Sequence, residues 1–448
     1  MALKSALLDG GALFAATSAV SLLWMPGPAA DWVSVIGVLG KACLLSFCCV
    51  LAFYYNDFYN VQAIQSVPDF TGRLLQSLGV AFIVVAVFYQ FFPESMGAPF
   101  VPALLIIVGL LLPIRGVSYV VMRRHPFVER VLIVGTSSLA QEIVREVSAA
   151  PHLRHVIVGV VADGPGNHAL GYPLRGPLAN LKDIIDDVRP HRIVVALEER
   201  RGRLPVRDLL EARMDGTVVE EGVELYERLT GKVAIESLTP SNLIFAQAFK
   251  KSRLQLHLHR AVSLAAAVGG LLVAAPFMAV IALAVKLDSR GPILFRQGRT
   301  GLGGRPFDLV KFRTMRDWSG TEPMSVWGRD DDARITRVGR LLRLLRLDEL
   351  PQFWNILKGD MDLVGPRPEI ACNVATMARD IPYYSLRHTV RPGITGWAQI
   401  KHGYSVSLED VTEKMRYDLY YLKNMSLWLD FQILVDTVKI VLSGRGSR

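Results

Sequence analysis

Four apolar stretches occupy the first quarter of the chain. Residues 10–30 carry no charge, 32–56 carry only Lys41, and 74–92 and 95–114 carry none. A helix crossing the hydrocarbon layer needs roughly 20 mainly apolar residues, and all four stretches supply that length. The loops near 26–31 and 93–94 hold no Lys or Arg, whereas Lys4, Arg73, Arg123, Arg124 and Arg130 flank the other side. Basic residues stay cytoplasmic, so the pattern predicts a four-helix transmembrane bundle over 1–122 with both ends in the cytoplasm. A cleaved leader does not suit the first stretch, which leads straight into another span.

A fifth apolar run, residues 261–285, is uncharged and long enough to cross. Its flanks are basic on both sides: Lys250, Lys251, Arg253 and Arg260 before, Lys286, Arg290, Arg296 and Arg299 after. A crossing helix would leave one of these clusters outside, against the charge bias. Pro276 removes a backbone hydrogen bond near the middle and bends the helix there. Two readings follow: a re-entrant helix kinked at Pro276 that enters and leaves by the cytoplasmic face, or a fifth span with a tolerated proline.

Between the two membrane regions, residues 127–245 alternate strand and helix. Strands are expected at 131–134, 156–161, 193–196 and 217–219, with helices to about 147 and near 179–187 and 205–213. That alternation predicts a Rossmann-like α/β module with a parallel sheet. Gly135-Thr136-Ser137-Ser138-Leu139-Ala140 is a degraded dinucleotide fingerprint in which Ser137 replaces the second glycine. Asp163, after the second strand, stands where a ribose-binding acid could sit. The module is either a structural or regulatory unit or a nucleotide binder, and it also suits homodimer formation.

Composition sharpens this picture. The 448 residues are 51% hydrophobic and only 20% charged, yet the formal net charge is +9. The mean hydropathy of +0.31 excludes a disordered chain and argues against an ordinary soluble enzyme. Excess positive charge points to a phosphate-rich partner. Four cysteines, three of them in one apolar stretch, build neither a disulfide framework nor a Cys-x-x-Cys metal pair.

Candidate chemistry lies after residue 285. Arg340, Arg343 and Arg346 recur at spacing three just before Asp348-Glu349-Leu350-Pro351. Pro351 suits a first helical turn, so a new helix should start near 348. Asp348 is then either its N-cap, with Glu349 a first-turn acid, or part of a phosphate site. In such a site a carboxylate can bind Mg²⁺ or attack phosphorus. Lys311 and Arg313 lie in an expected strand, 307–315, after a hairpin turn at Gly301–Gly304. Arg367 sits between Pro366 and Pro368, which fix its backbone. Asp330-Asp331-Asp332 reads as a metal cluster or, more commonly, as a solvated charge run.

From about 250 onward these motifs resemble the bacterial polyprenyl-phosphate sugar-1-phosphate transferases, the monotopic phosphoglycosyl transferases. The matching stretches are Gly291-Pro-Ile-Leu-Phe-Arg-Gln297, Lys311-Phe-Arg-Thr-Met315, Asp332-Ala-Arg-Ile-Thr336, Leu347-Asp-Glu-Leu-Pro-Gln352, Asn355-Ile-Leu-Lys-Gly-Asp-Met361, Leu363-Val-Gly-Pro-Arg-Pro368 and Arg391-Pro-Gly-Ile-Thr-Gly-Trp-Ala-Gln399. Ala333 departs from a usual proline. The four spans and the α/β module look like the family's long form, and the tail Tyr417–Ser426 is similar to exopolysaccharide-pathway members.

The resemblance implies a membrane α-helical bundle (1–122), a Rossmann-like α/β module (127–245) and an α/β monotopic catalytic domain (246–448) with a re-entrant helix. It implies an enzyme of the bacterial cytoplasmic membrane, with its catalytic domain on the cytoplasmic face. The expected reaction moves a sugar-1-phosphate from a UDP-sugar, UDP-glucose or UDP-galactose first, to undecaprenyl phosphate, releasing UMP through a phosphosugar on Asp348. Mg²⁺ on Asp348 would neutralise diphosphate charge, and Glu349 would assist. Arg343 and Arg367 would bind phosphate and nucleotide, with Pro366, Pro368, Lys311 and Arg313 in support. Nucleic acid is not needed to explain the basicity. A glycosyltransferase releasing UDP and a membrane-tethered dinucleotide sensor are the competing classes.

Overall fold

The computed structural model describes residues 32–55, 129–149, 155–163, 168–198, 204–238, 251–316, 334–402 and 407–443, with isolated positions at 10–19, 71–82 and 109. Contacts divide the chain into residues 1–130 with 147–156, and residues 131–146 with 157–448. In the first unit, helix α1 (Trp32–Tyr55) coincides with the second expected span. Its Ile36 and Phe47 are exposed, which suits a hydrocarbon surround. The spans expected at 10–30, 74–92 and 95–114 lie outside the described residues apart from isolated positions. The Asp330-Asp331-Asp332 run lies outside them entirely.

An α/β layer comes next: β1 (Glu129–Val134), α2 (Ser138–Ala149), β2 (His155–Val161), β3 (His168–Ala169), β4 (Tyr172–Gly176), α3 (Leu181–Val188), β5 (Arg192–Val195), α4 (Val206–Met214), β6 (Val218–Glu221) and α5 (Gly222–Thr230). The strand order is β3-β4-β2-β1-β5-β6. Pairs β1/β5, β5/β6 and β2/β4 are parallel, and β3 is antiparallel to β4. Residues 131–134 and 193–195 are buried without alternation, as strands covered on both faces must be. Gly135 takes a φ of +110°, and a Cβ there would stand 2.4 Å from the Ala196 carbonyl, so only glycine serves. The Ser137 hydroxyl donates to that same carbonyl (2.7 Å) and accepts from Ala140 N (3.3 Å). Asp163 accepts from Leu178 N (3.0 Å). Ser137 of the degraded fingerprint and Asp163 are thus both engaged in holding turns together.

The fifth apolar run lies within one long helix, α6 (Arg253–Asp288), of 36 residues and about 54 Å. Ser252 caps its N-terminus by accepting from Gln255 N. The helix continues through Pro276, so the proline does not end it. One stripe packs inward along most of its length. Arg260 donates to the Met361 and Ile356 carbonyls and pairs with Asp362 at 2.8 Å. Ser263 accepts from Leu363 N, and Ala267 joins Leu309, Ile356 and Met361. Gly270 leaves room for the Phe353 ring, which would stand 2.8 Å from a Cβ. Met278, Ile281 and Val285 meet Phe312 and Leu342, and Asp288 accepts from Val338 N. The opposite face stays open, with Leu272, Val273, Val280 and Leu287 each about 70% exposed or more.

The chain continues with a β7 (Leu294–Thr300) and β8 (Pro306–Phe312) hairpin, α7 (Arg337–Leu344), α8 (Gln352–Lys358), β9 (Asp362–Val364), α9 (Ala371–Asp380), β10 (Gly393–Thr395), α10 (Trp397–Lys401), α11 (Leu408–Asn424) and α12 (Leu427–Ser443), of which β8, α7, α8 and β9 meet that stripe. The Gly301–Gly304 turn joins an antiparallel hairpin, as expected, and β9 and β10 pair in parallel. Val233 and Ile235, just beyond α5, enter a core with Tyr384, Met415, Leu419 and Tyr421. Ion pairs bind the same surfaces: Lys423 with Glu227 at 2.7 Å, Arg416 with Glu236 at 2.7 Å, and Lys232 with Glu413.

Candidate active site

The two carboxylates sit in a tight connection between α7 and α8. Helix α7 ends at Leu344, Arg346 turns the chain with a φ of +57°, and Leu347–Glu349 form a single 3-10 turn. Asp348 caps neither that turn nor α8; Arg346 and Pro351 hold those positions, without side-chain capping bonds. The N-cap reading of Asp348 therefore does not hold. Both carboxylate residues are buried, each with 8% of its surface exposed.

Their surroundings differ sharply. Glu349 Oε1 accepts from Lys311 Nζ (3.1 Å) and Arg367 Nη2 (2.9 Å), with Arg346 Nη1 at 3.8 Å. Burial pushes this carboxyl up, but the charges of Lys311, Arg367 and Arg346 outweigh that and hold it far below the usual carboxylate range. Asp348 accepts no hydrogen bond and forms no ion pair among the described residues. Burial first, then the neighbouring Glu349 charge, raise its pKa, and Lys311, Arg343 and Arg346 offset this only in part. The two adjacent carboxyls are thus driven apart, Glu349 toward the ionised form under its cations and Asp348 toward the protonated one.

The expected basic residues divide into three groups. Lys311, at the end of β8, and Arg367 reach Glu349 directly. Arg343 bears electrostatically on Asp348 while its Nε donates to Thr314 Oγ1 (3.0 Å). Arg313 does not join them: 4% exposed, it turns away and donates to the Ser289 carbonyl (2.7 Å) and hydroxyl (2.8 Å) at the end of α6. Pro366 and Pro368 are buried and contribute through their carbonyls, which accept from Gly393 N and Arg299 Nη1, each at 3.0 Å. Pro276 lies inside α6, away from this cluster in sequence and secondary structure.

Two cations escaped the sequence-based choice of site residues. Arg346 was visible as the last of the spaced arginines, but its left-handed turn is what brings it beside both carboxylates. Arg299 is the penultimate residue of β7, and its Nε and Nη2 both donate to Gln297 Oε1. Burial, then the neighbouring Arg367 charge, pull its pKa down to about 10. No group of three or more Asp, Glu, His or Cys that could hold a metal occurs among the described residues. The arrangement leaves one unpartnered carboxylate under a fan of cations, suited to an anionic substrate.

The model of the bacterial sugar transferase family matches residues 254–444, which contain this entire cluster. The UDP-glucose:undecaprenyl-phosphate glucose-1-phosphate transferase of Escherichia coli (strain K12) is 32% identical over 71% of this chain and 68% of its own length. The chain belongs to the bacterial sugar transferase family. As a family member it is a transferase. Other relatives are an undecaprenyl-phosphate glucose phosphotransferase of Komagataeibacter xylinus (34% identical, 71% of this chain) and a UDP-N-acetylgalactosamine-undecaprenyl-phosphate N-acetylgalactosaminephosphotransferase of Aeromonas hydrophila (43%, 50%). The chain covers 60% and 52% of those two, respectively. The family resemblance read from the motifs is therefore correct.

Proposed function

We propose that this protein transfers a sugar-1-phosphate from a UDP-sugar to undecaprenyl phosphate, releasing UMP. The supporting observation is the contrast between Asp348, unpartnered, and Glu349, held by three cations. A carboxylate bonded to cations is a poor nucleophile, whereas an unbonded one retains its lone pairs. An oxygen of Asp348 attacks the phosphorus that carries the sugar. The bond from that phosphorus to the bridging oxygen breaks, and UMP leaves carrying that oxygen and the bond's electron pair. An oxygen of undecaprenyl phosphate then attacks the same phosphorus, expels the carboxylate and forms undecaprenyl-diphosphate-sugar. Arg343, Arg346, Arg367 and Lys311 supply the positive charge that the diphosphate requires.

Because the Asp348 carboxylate has two oxygens, one would hold Mg²⁺, which is commonly bound by one or two carboxylates together with substrate phosphates, while the other keeps its lone pair for the attack. Bound there, the ion would neutralise charge on the diphosphate. Among donors, UDP-glucose comes first because relatives matched over 71% of the chain carry glucose names. A relative named for N-acetylgalactosamine makes the corresponding UDP-sugar the second candidate.

Helix α6 supports membrane insertion without crossing. Arg260 near one end and Asp288 at the other both bond the same α/β unit, while the outer face is apolar and exposed. A crossing segment would carry those two ends to opposite sides of the bilayer. An anchor that enters and leaves by the cytoplasmic side keeps the site beside the lipid headgroups, where a lipid phosphate can meet a soluble nucleotide sugar. The reading is tested by incubating membranes with undecaprenyl phosphate and UDP-glucose, UDP-galactose or UDP-N-acetylgalactosamine. UMP as the nucleotide product is the expected result; UDP instead of UMP would reject it in favour of transfer of the sugar alone.

A further inference from the structure

The loop that carries Arg367 has few ways to be held. Pro366 and Pro368 have no N–H, so the loop's backbone is fixed largely through its carbonyls. Each of these finds a donor from a distant element. Pro366 O accepts from Gly393 N (3.0 Å), Arg367 O from Arg387 Nη2 (2.9 Å), Pro368 O from Arg299 Nη1 (3.0 Å) and Glu369 O from Thr300 N (3.0 Å). The one at Arg367 itself matters most, since this residue's side chain reaches Glu349.

Arg387 is built into the core for this contact. It lies in the 3-10 turn Tyr384–Thr389, and its side chain is 3% exposed. Besides Arg367 O, Nη2 stands 2.8 Å from Asp418 Oδ2 on α11, itself 2% exposed. Nη1 donates to Tyr384 Oη (2.8 Å) and, more weakly, to Glu369 Oε2 (3.4 Å). Lys414 Nζ donates to the same Glu369 oxygen at 3.1 Å. Two cations thus face two anions, Arg387 and Asp418 buried and Lys414 and Glu369 half-buried, and the fork of Arg387 joins them to the loop backbone. A planar guanidinium can bond three partners in fixed directions at once, which a lysine ammonium on a flexible stem cannot reproduce.

We infer that Arg387 is a positioning residue for the transfer reaction: through the Arg367 carbonyl it sets the direction in which the Arg367 guanidinium enters the active site. This rests on the phosphosugar-transfer reading above. Arg387 touches neither carboxylate of the site, and the part it plays in the reaction passes through Arg367.

A double-mutant cycle on the purified full chain separates this role from plain core stability. UMP release is measured as kcat/KM for Arg387→Lys, Arg367→Ala and the double variant, alongside thermal unfolding. Arg387→Lys keeps the charge opposite Asp418 but gives up the fork. It is expected to lower kcat/KM by about tenfold or more, as misplacement of a binding group by a fraction of an ångström does. In the Arg367→Ala background the same change is expected to cost less than about twofold, because nothing is left to aim. Losses that multiply would overturn the positioning role while leaving the transfer reading in place. Full activity of Arg367→Ala would overturn the site assignment, and the positioning role with it. If Arg387→Lys does not fold, Tyr384→Phe carries the cycle: it removes the shorter of the two Nη1 contacts and the hydroxyl's bond to Met377 Sδ, and leaves the Nη2 contacts in place. A loss in the wild-type background that vanishes in Arg367→Ala supports the inference, and a loss of equal size in both rejects it.

Discussion

Replacing Glu349 by Gln tests the electrostatic division between the two carboxyls. The amide keeps the shape and one acceptor oxygen, but the charge that Lys311, Arg367 and Arg346 surround is gone. The two short contacts, 3.1 and 2.9 Å, change from charge-assisted to ordinary hydrogen bonds. Each should weaken by about 1 kcal/mol, for a loss of roughly 2–3 kcal/mol once the uncompensated cations are included. Lys311 and Arg367 keep 18% and 25% of their side-chain surface, which holds the loss below that of a fully buried pair. For a catalytic region of this size the melting temperature should fall by roughly 4–12 °C. Glu349 is depressed, so its contribution is fully present above its unfolded value of 4.5 and is lost as pH falls below it. The stability difference should accordingly shrink in acid.

The kinetic consequence has the opposite sign. Asp348 must be ionised to attack, and after burial the Glu349 charge is the next largest cause of its raised pKa. Removing that charge lowers the Asp348 pKa. The acid limb of kcat/KM, measured as UMP release against pH, should therefore move to lower pH in Glu349→Gln even though the maximal rate falls. An acid limb that stays in place or moves upward would refute the assignment of Asp348 as the titrating nucleophile.

Three other outcomes are expected. Gly396→Ala places a Cβ 2.2 Å from the Gly365 carbonyl, at the base of the Arg367 loop, and should lower UMP release by about 100-fold through displacement of that loop. Trp397→Phe removes the indole bond to the Gly231 carbonyl (2.8 Å), and should destabilise by about 1 kcal/mol, read as faster limited proteolysis, with turnover little changed. In a chain with its four cysteines replaced, Arg253→Cys and Arg290→Cys mark the two ends of α6. An impermeant thiol reagent should label both in inverted vesicles and neither in intact cells; labelling of one end from each side would show a crossing helix.

Strong periodic signals in the sequence carried over to the fold. The strands at 131–134 and 193–195 are continuous apolar runs, and the uncharged run 261–285 forms most of a single helix. Arg313 shows where such reasoning stops. A strand drawn through residue 315 puts Lys311 and Arg313 on one face, two residues apart. The strand ends at Phe312, and although Arg313 N still bonds the Ile293 carbonyl, its side chain goes to Ser289 rather than to Glu349. Asp348 shows a second limit. A proline three residues on suggested a helix start, but the left-handed Arg346 inserts a separate turn that frees the carboxylate from capping. Arg299 and Arg387 were out of reach for another reason. Their importance lies in carbonyls 69 and 20 positions further along or back, which no local pattern encodes.

The central claim is that Asp348 carries the phosphosugar. Purified protein incubated with UDP-glucose and Mg²⁺, without lipid acceptor, should release about one UMP per active site. The peptide containing Asp348 should gain the mass of a hexose phosphate in the wild type and not in Asp348→Asn. Rapid lipid-dependent release of UMP with no mass gained on that peptide, or full turnover by Asp348→Asn, would contradict it.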